Sequence, residues 1–345
     1  MKTRFSSIDI GAVLHELSAR LLGLRVTNVY DIDNKTYLIR LQKPDTKVML
    51  LIESGIRIHT TDFEWPKHIF PSSFSMKCRK HLRTRRLVSI TQLGMDRILD
   101  LQFGSGEAAY HLLVELYDRG NIVLTDYEYM ILNLLRFRSA EADGEDVRFA
   151  VRERYPVELA KPLSPPLDQD RISEIISGMK NGEQLKRAFA SHVVCGPAVI
   201  EHCLMESGLP EGVKVGQGFD PTKDMSKLVV ALAMAETFVQ SSRKFSGKGY
   251  IIQKRENQVA VDGNDTPTEL LIYDEFQPFL FAQHVHRPYL EFDSFDRAVD
   301  EFFSKMESQK IDLKVLHQVK QTSLITLRVS SWCIINGLIH YLWLS

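Results

Sequence analysis

The apolar positions of the first 155 residues switch between a helical period and a strand period. Ile10, Val13, Leu14, Leu17 and Leu21 recur at three- and four-residue steps, the stripe of an amphipathic helix. Ser6 with Asp9 three residues later is a capping box in front of it, and Gly23 is a stop signal behind it. Residues 26–32, 37–41 and 48–52 are short apolar or alternating runs, punctuated by Asp33-Asn34-Lys35 and Lys43-Pro44-Asp45. They predict an antiparallel meander. Pro71-Ser72-Ser73 opens a second helix whose apolar stripe is Phe74, Cys78 and Leu82. Strand periodicity returns at 87–93, 98–103, 110–117, 122–125 and 130–137, with turns at Gly104-Ser105-Gly106 and Arg119-Gly120-Asn121. Residues 1–155 therefore read as one α+β domain built on an antiparallel sheet.

The pattern then changes five times. Residues 156–167 are a linker carrying Pro156, Pro162, Pro165 and Pro166. Residues 168–245 turn helical, with Gly196-Pro197 between two helical segments and Gly208-Leu209-Pro210 closing the second. Such a helix-hairpin-helix arrangement offers backbone amides and a helix N-terminus to phosphates; a plain bundle connection fits the local pattern equally. Residues 246–294 form a strand-containing connector, and 295–321 read as a helix that begins a coiled coil. Residues 322–345 are an apolar tail with two of the three tryptophans. Its best apolar stretch, 332–344, contains Asn336, Gly337 and His340 and is shorter than the roughly 20 residues that span a bilayer. A membrane anchor is disfavoured. The abrupt loss of charge patterning after Gln321 reads instead as an abnormal end, from alternative splicing or a truncated gene model.

Charge changes the picture locally. The chain carries 43 basic and 44 acidic residues, so it is no bulk polyelectrolyte binder. Residues 1–100, however, hold 17 Lys/Arg against 10 Asp/Glu, net +7, which suggests a nucleic-acid face on the N-terminal part. Lys77, Arg79, Lys80, Arg83, Arg85 and Arg86 crowd into ten residues with His81 among them, and no acid follows Lys77 until Asp96. That acid stands beside Arg97 in the turn Gly94-Met95-Asp96-Arg97. The block is suited to holding phosphates and the acid–base pair to inspecting a base. The plainer readings are a solvated helix face and a turn salt bridge worth about 0–1 kcal/mol. Arg85 and Arg86 also fit a helix end, where cations favour the dipole.

The four cysteines form no CxxC pair, which points to a reducing compartment. The N-terminus MKTRFSSIDIG has no apolar core of a signal peptide. His284 and His286 lack ligand-spaced partners, so neither a metal nor a cofactor is expected. Ser/His/Asp, HExxH and Gly-rich phosphate-loop signatures do not occur.

Several ordered segments together resemble the NFACT family: RFSSID at 4–9, NVYDIDNKTYLIRLQKP at 28–44, ESGIRIHTTDFEWP at 53–66, PSSFSMKCRKHL at 71–82, GMDRILDLQF at 94–103 and ELYDRGNIVLTDYEY at 115–129. FSGKGYIIQKRE at 245–256 and FDSFDRAVDEFF at 292–303 extend the resemblance, which runs to about residue 321. It implies a glycosylase-like N-terminal fold and a non-enzymatic role in cytosolic ribosome-associated quality control, with the nucleus as an alternative site. The implied partners are the large ribosomal subunit, peptidyl-tRNA, an elongator tRNA for alanine and the E3 ligase listerin. Listerin is engaged through a coiled coil of which only the start is present. The implied outcome is an untemplated C-terminal tail on the stalled chain and its ubiquitination. The family's tail-forming positions fall on Asp9, Asp96 and Arg97. Alternatives are a truncated isoform acting as scaffold or inhibitor, an adhesin-type scaffold, and a glycosylase-like enzyme acting on DNA. The last is disfavoured, because Lys2 and Thr3 stand where those enzymes carry a nucleophilic proline amine and a glutamate.

Overall fold

Antiparallel sheets dominate the N-terminal half, because its strand-forming runs are short and joined by tight turns. The computed structural model describes residues 1–137, 149–160, 167–242, 247–257 and 269–308. They divide into a first unit, Met1–Asp300, and a second, Glu301–Ser345. Of the second, only 301–308 are described, and they are helical. The expected coiled-coil continuation at 309–321 and the apolar tail at 322–345 lie outside the described residues.

In the first unit, α1 (Ser7–Leu21) starts at the expected capping box: the Ser6 hydroxyl accepts from the Asp9 N–H, and the Asp9 carboxylate accepts from the Ser6 N–H. Gly23, just past the helix, has φ +85°, a left-handed conformation that suits glycine. The first sheet is the meander β1 (Arg25–Asp31), β2 (Thr36–Lys43), β3 (Thr46–Glu53) and β4 (Arg57–Thr60), in that order. The sequence pattern missed β4, whose four residues are all buried and so show no alternation.

Helix α2 (Ser73–Leu82) lies on β1 and buries Phe74, Cys78 and Leu82, as their spacing predicts. Asp31 at the end of β1 fixes its start. That carboxylate accepts from the Ser72 N–H and hydroxyl, while the Ser72 oxygen caps the helix at the Ser75 N–H. The second sheet is a five-stranded meander: β5 (Leu87–Gln92), β6 (Ile98–Phe103), β7 (Tyr110–Glu115), β8 (Asn121–Asp126) and β9 (Ile131–Leu134). The sheets meet at two turns. The Gly55 N–H donates to the Glu115 carbonyl. A Cβ on Gly120 would sit 2.0 Å from the Gly55 nitrogen, so this approach admits only glycine there.

The helical stretch comprises α3 (Gln169–Gly178), α4 (Leu185–Phe189), α5 (Pro197–Glu206) and α6 (Met225–Ser242), with the two-residue pair β10 (Lys214–Val215) and β11 (Gly218–Phe219) before α6. Its core includes Leu185, Phe189, Ile200, Leu204, Leu228 and Leu232, and it also takes in Ile8 of α1 and Met95. A third antiparallel sheet, in the order β13 (Glu269–Gln277), β12 (Gly249–Asn257), β14 (Tyr289–Phe292), carries Phe276. Phe276 packs with Phe5 and Phe295, the ring centres 5.8 to 6.3 Å apart. The chain's first residues are thereby tied to a strand some 270 residues later: the Lys2 N–H donates to the Asp274 carbonyl at 2.7 Å. The α+β class with antiparallel sheets is the class the sequence predicts.

Candidate nucleic-acid interface

The basic block is split between structural and free cations. The Arg79 Nε donates to the Val29 carbonyl at 2.8 Å, and its guanidinium lies 5.8 Å from the Tyr30 ring centre. The Arg85 Nε donates to the His81 carbonyl at 2.9 Å, and a second nitrogen to the Ala108 carbonyl at 2.6 Å. Arg85 thus satisfies a last-turn carbonyl of α2 and also lies over the Tyr110 ring. Lys77, Lys80, Arg83 and Arg86 are exposed.

Beyond α2 the chain opens an acid-free hollow of about 610 Å³ lined by Arg25, Lys80, Arg83, Arg85, Arg86 and His81, with Thr84, Val88, Gly104 and Ser105 completing it. Its floor is rigid. The Thr84 N–H donates to the Val26 carbonyl, the Val26 N–H to Arg85 and the Leu87 N–H to Leu24, so residues 84–87 are bonded to the start of β1. Thr84 has φ +69°, a left-handed conformation that costs a β-branched residue about 1–3 kcal/mol.

Arg25 and Arg86 face each other across an antiparallel bridge. Like charges directly opposite destabilise a ladder, and an anion between them relieves the repulsion. Burial and the neighbouring Lys80, Lys77 and Arg85 cations hold the His81 imidazole below its ordinary pKa. The sum is a fixed concentration of positive charge, chemically suited to an anion such as a phosphate. The sequence pattern missed Arg25, since only the tertiary pairing of β1 with the loop after α2 brings it here.

Asp96 and Arg97 lie elsewhere. They occupy the turn at one end of the β5–β6 hairpin, whereas Arg86 precedes β5 at the other end. A six-residue strand separates the two by roughly 20 Å at about 3.3 Å per residue. The block and the acid–base pair are near in sequence, but the extended strand between them puts the pair at the far end of the hairpin. Arg97 is half-buried and donates to the Phe5 carbonyl at 3.3 Å. Burial and the nearby Arg4 depress its pKa.

Asp9 sits one turn from Phe5 and so belongs to the Arg97 end, but it is fully buried. Its carboxylate accepts from the Ser6 N–H and hydroxyl at 2.7 and 2.8 Å. It also pairs with the Lys2 ammonium at 2.8 Å. The same ammonium donates to the Phe276 carbonyl and the Gln277 side chain, both at 2.9 Å. Its position therefore makes Asp9 a holder of the N-terminus. The structure brings Arg79, Lys80, Arg83, Arg85, Arg86 and Lys77 onto or beside one helix, and Asp9 and Arg97 into one neighbourhood at the other end of the hairpin.

The histidine pair separates. His284 is buried, with Nε2 3.4 Å from the Glu275 carboxylate, which it pulls down to a pKa of about 2. Among the described residues no three metal-ligating side chains converge, and no helix is long and apolar enough to cross a membrane.

Comparison with known proteins follows the same lines. Residues 6–326 match the family model for NFACT N-terminal and middle domains. The chain is 62% identical over 321 residues to the human ribosome quality control complex subunit NEMF, covering 93% of this chain and 30% of that protein. It is 28% identical to the Saccharomyces cerevisiae ribosome quality control complex subunit 2, covering 93% and 35%. The chain therefore spans about a third of the length of these relatives. Among solved structures, the fibrinogen binding protein of Staphylococcus aureus superposes with a TM-score of 0.57 at 16% identity, covering 86% of this chain and 98% of that one. The N-terminal part of the Streptococcus suis fibronectin/fibrinogen-binding protein gives 0.53, also at 16% identity, covering 87% and 99%.

Proposed function

The chain belongs to the family of NFACT N-terminal and middle domains, and from that membership we propose that it acts in ribosome-associated quality control. In this reading it binds large ribosomal subunits that still carry peptidyl-tRNA, in the cytosol. It also recruits an elongator tRNA, for alanine, so that the stalled chain acquires a C-terminal tail. The protein supplies binding and orientation and performs no covalent step of its own. The names of the human and yeast relatives support the quality-control setting. The observation that carries the RNA part is the acid-free cationic hollow beside α2.

Within this proposal Lys80, Arg83 and Arg86, with Lys77 on the same helix, take ribose-phosphate oxygens, and Arg79 and Arg85 hold the platform. Asp96 and Arg97 contact the same tRNA about a hairpin's length away, and Asp9 sets the position of the segment that carries Arg97's acceptor. The helical stretch 168–245 offers a second RNA-facing element, with the Pro197 helix start behind Gly196 as its amide-bearing end. Listerin belongs to the proposal through residues 295–321, as the start of a coiled coil.

Sedimentation of the 345-residue chain with purified large subunits tests the reading. Co-sedimentation that increases when peptidyl-tRNA is present is the expected result. A chain that stays in the supernatant with both kinds of particle at low salt overturns it.

A further inference from the structure

The first sheet carries a second hollow, of about 270 Å³. Its lining includes Arg40, Lys47 and Lys67, the aromatic rings of Tyr30 and Phe63, and the carboxylates of Asp62 and Glu64. We propose that this hollow receives an unpaired nucleotide of the same RNA whose backbone occupies the hollow beside α2. Arg40, Lys47 and Lys67 would meet its phosphates, Tyr30 and Phe63 would flank the base, and Asp62 and Glu64 would accept from its amino groups. The proposal rests on the RNA-binding reading and adds to it a place where base identity is read.

Three observations carry it. First, helix α2 borders both hollows. Tyr30, on the rim of the second, has the Lys67 ammonium 5.4 Å and the Arg79 guanidinium 5.8 Å from its ring centre. Arg79 is the neighbour of Lys80, which lines the first hollow. Second, two of the three cations have unused capacity, whereas the Lys67 ammonium stands 3.9 Å from the Glu64 carboxylate. Lys47 is exposed, and the Arg40 Nε is a buried donor with no hydrogen-bond partner, a state that a ligand acceptor relieves. Burial pushes the Tyr30 hydroxyl pKa up, but bonds from Arg40 and Asn28 and the Arg40 and Lys67 charges outweigh it and lower the pKa.

Third, the chemistry of the two hollows differs. The first has cations and no acid, so it attracts phosphate without regard to sequence. The second adds carboxylates and aromatic faces, the groups that recognise splayed bases in single-stranded RNA. The loop carrying the carboxylates is held, since the Asp62 N–H donates to the Asp300 carboxylate at 3.0 Å.

The test uses the full chain, a tRNA transcript, and labelled oligo(A), oligo(C) and oligo(U) followed by fluorescence anisotropy against salt. Adenine and cytosine carry amino groups and uracil does not, so oligo(A) and oligo(C) should bind roughly tenfold tighter than oligo(U). Asp62→Ala with Glu64→Ala should erase that preference and leave the salt slope in place. Lys47→Gln with Lys67→Gln should lower the slope by about 0.7 for each charge removed. A wild-type chain that binds tRNA but shows no base preference, or a slope unmoved by the lysine changes in a chain that still folds by circular dichroism, overturns the proposal and leaves the RNA reading standing. A wild-type chain that binds neither tRNA nor any oligonucleotide removes both.

Discussion

The two ends of the β5–β6 hairpin use the same residue types for opposite purposes. At the α2 end, Arg25, Lys80, Arg83 and Arg86 converge on a hollow with no acid in its lining. At the other end, the charges are turned inward. Lys2 and Asp9 neutralise each other below the surface, and Arg97 is bonded to the Phe5 carbonyl. A cation surrounded by cations on a rigid floor is ready for an anion. A cation with its carboxylate inside the core fixes the chain and offers little to a ligand. Charge counts along the sequence do not separate these cases; burial and partners do.

The largest effect expected from breaking this contrast is on stability at the inward end. Asp9→Ala leaves the Lys2 ammonium half-buried without its carboxylate and removes the carboxylate half of the capping box, a loss of about 3 kcal/mol. Urea unfolding should show it as a lower midpoint. The same measurement on Lys80→Gln should move by less than about 0.5 kcal/mol, because that side chain is exposed. A comparable loss at both positions would erase the distinction between the two ends.

Arg85→Ala is an intermediate case. It removes two bonds to carbonyls and the contact with Tyr110, and thermal unfolding should report about 1–2 kcal/mol. A loss of RNA affinity with unchanged stability would move Arg85 from the platform to the ligand-binding group.

Asp96→Ala with Arg97→Ala sharpens the comparison functionally. Competition binding should show weaker discrimination among tRNAs, while sedimentation with large subunits changes less than about threefold, a difference under about 1 kcal/mol. Loss of both together would indicate that the turn, through Met95 in the helical core, is needed for folding.

The smallest effect is a titration shift. In the free chain, burial and the neighbouring cations keep the His81 imidazole neutral to a lower pH than usual. A phosphate in the hollow offsets those cations and favours the imidazolium, so the His81 pKa should rise on binding inorganic phosphate or RNA. Nuclear magnetic resonance of the histidine signals reads this directly, and an unchanged His81 at saturating RNA would place the ligand elsewhere.

Much of the local structure was legible in the chain. The Ser6–Asp9 capping box, the Phe74–Cys78–Leu82 stripe and the β6 strand follow from spacing alone, since they depend on neighbours three or four residues apart or on a period of two. The grouping of site residues was not. Arg25 reaches the hollow through pairing between β1 and the loop after α2. Lys2 meets Gln277 across 275 positions, and no local pattern encodes such contacts. The distance between Arg86 and Arg97 was open to inference, because a six-residue strand between them must hold them apart. Burial of Asp9 was not, because it is paired with Lys2, whose ammonium is in turn held by the strand at Phe276 and Gln277 from the far end of the unit.

The claim on which the rest depends is that the hollow beside α2 holds phosphates. The most direct measurement is the salt dependence of binding between a tRNA transcript and the 345-residue chain, compared with the variant Lys80→Gln, Arg83→Gln, Arg86→Gln. The account predicts that log affinity falls linearly with log salt, and that the variant's slope is smaller by about 2 to 3, roughly one phosphate contact for each charge removed. Equal slopes for the two proteins, with both folded, would contradict it.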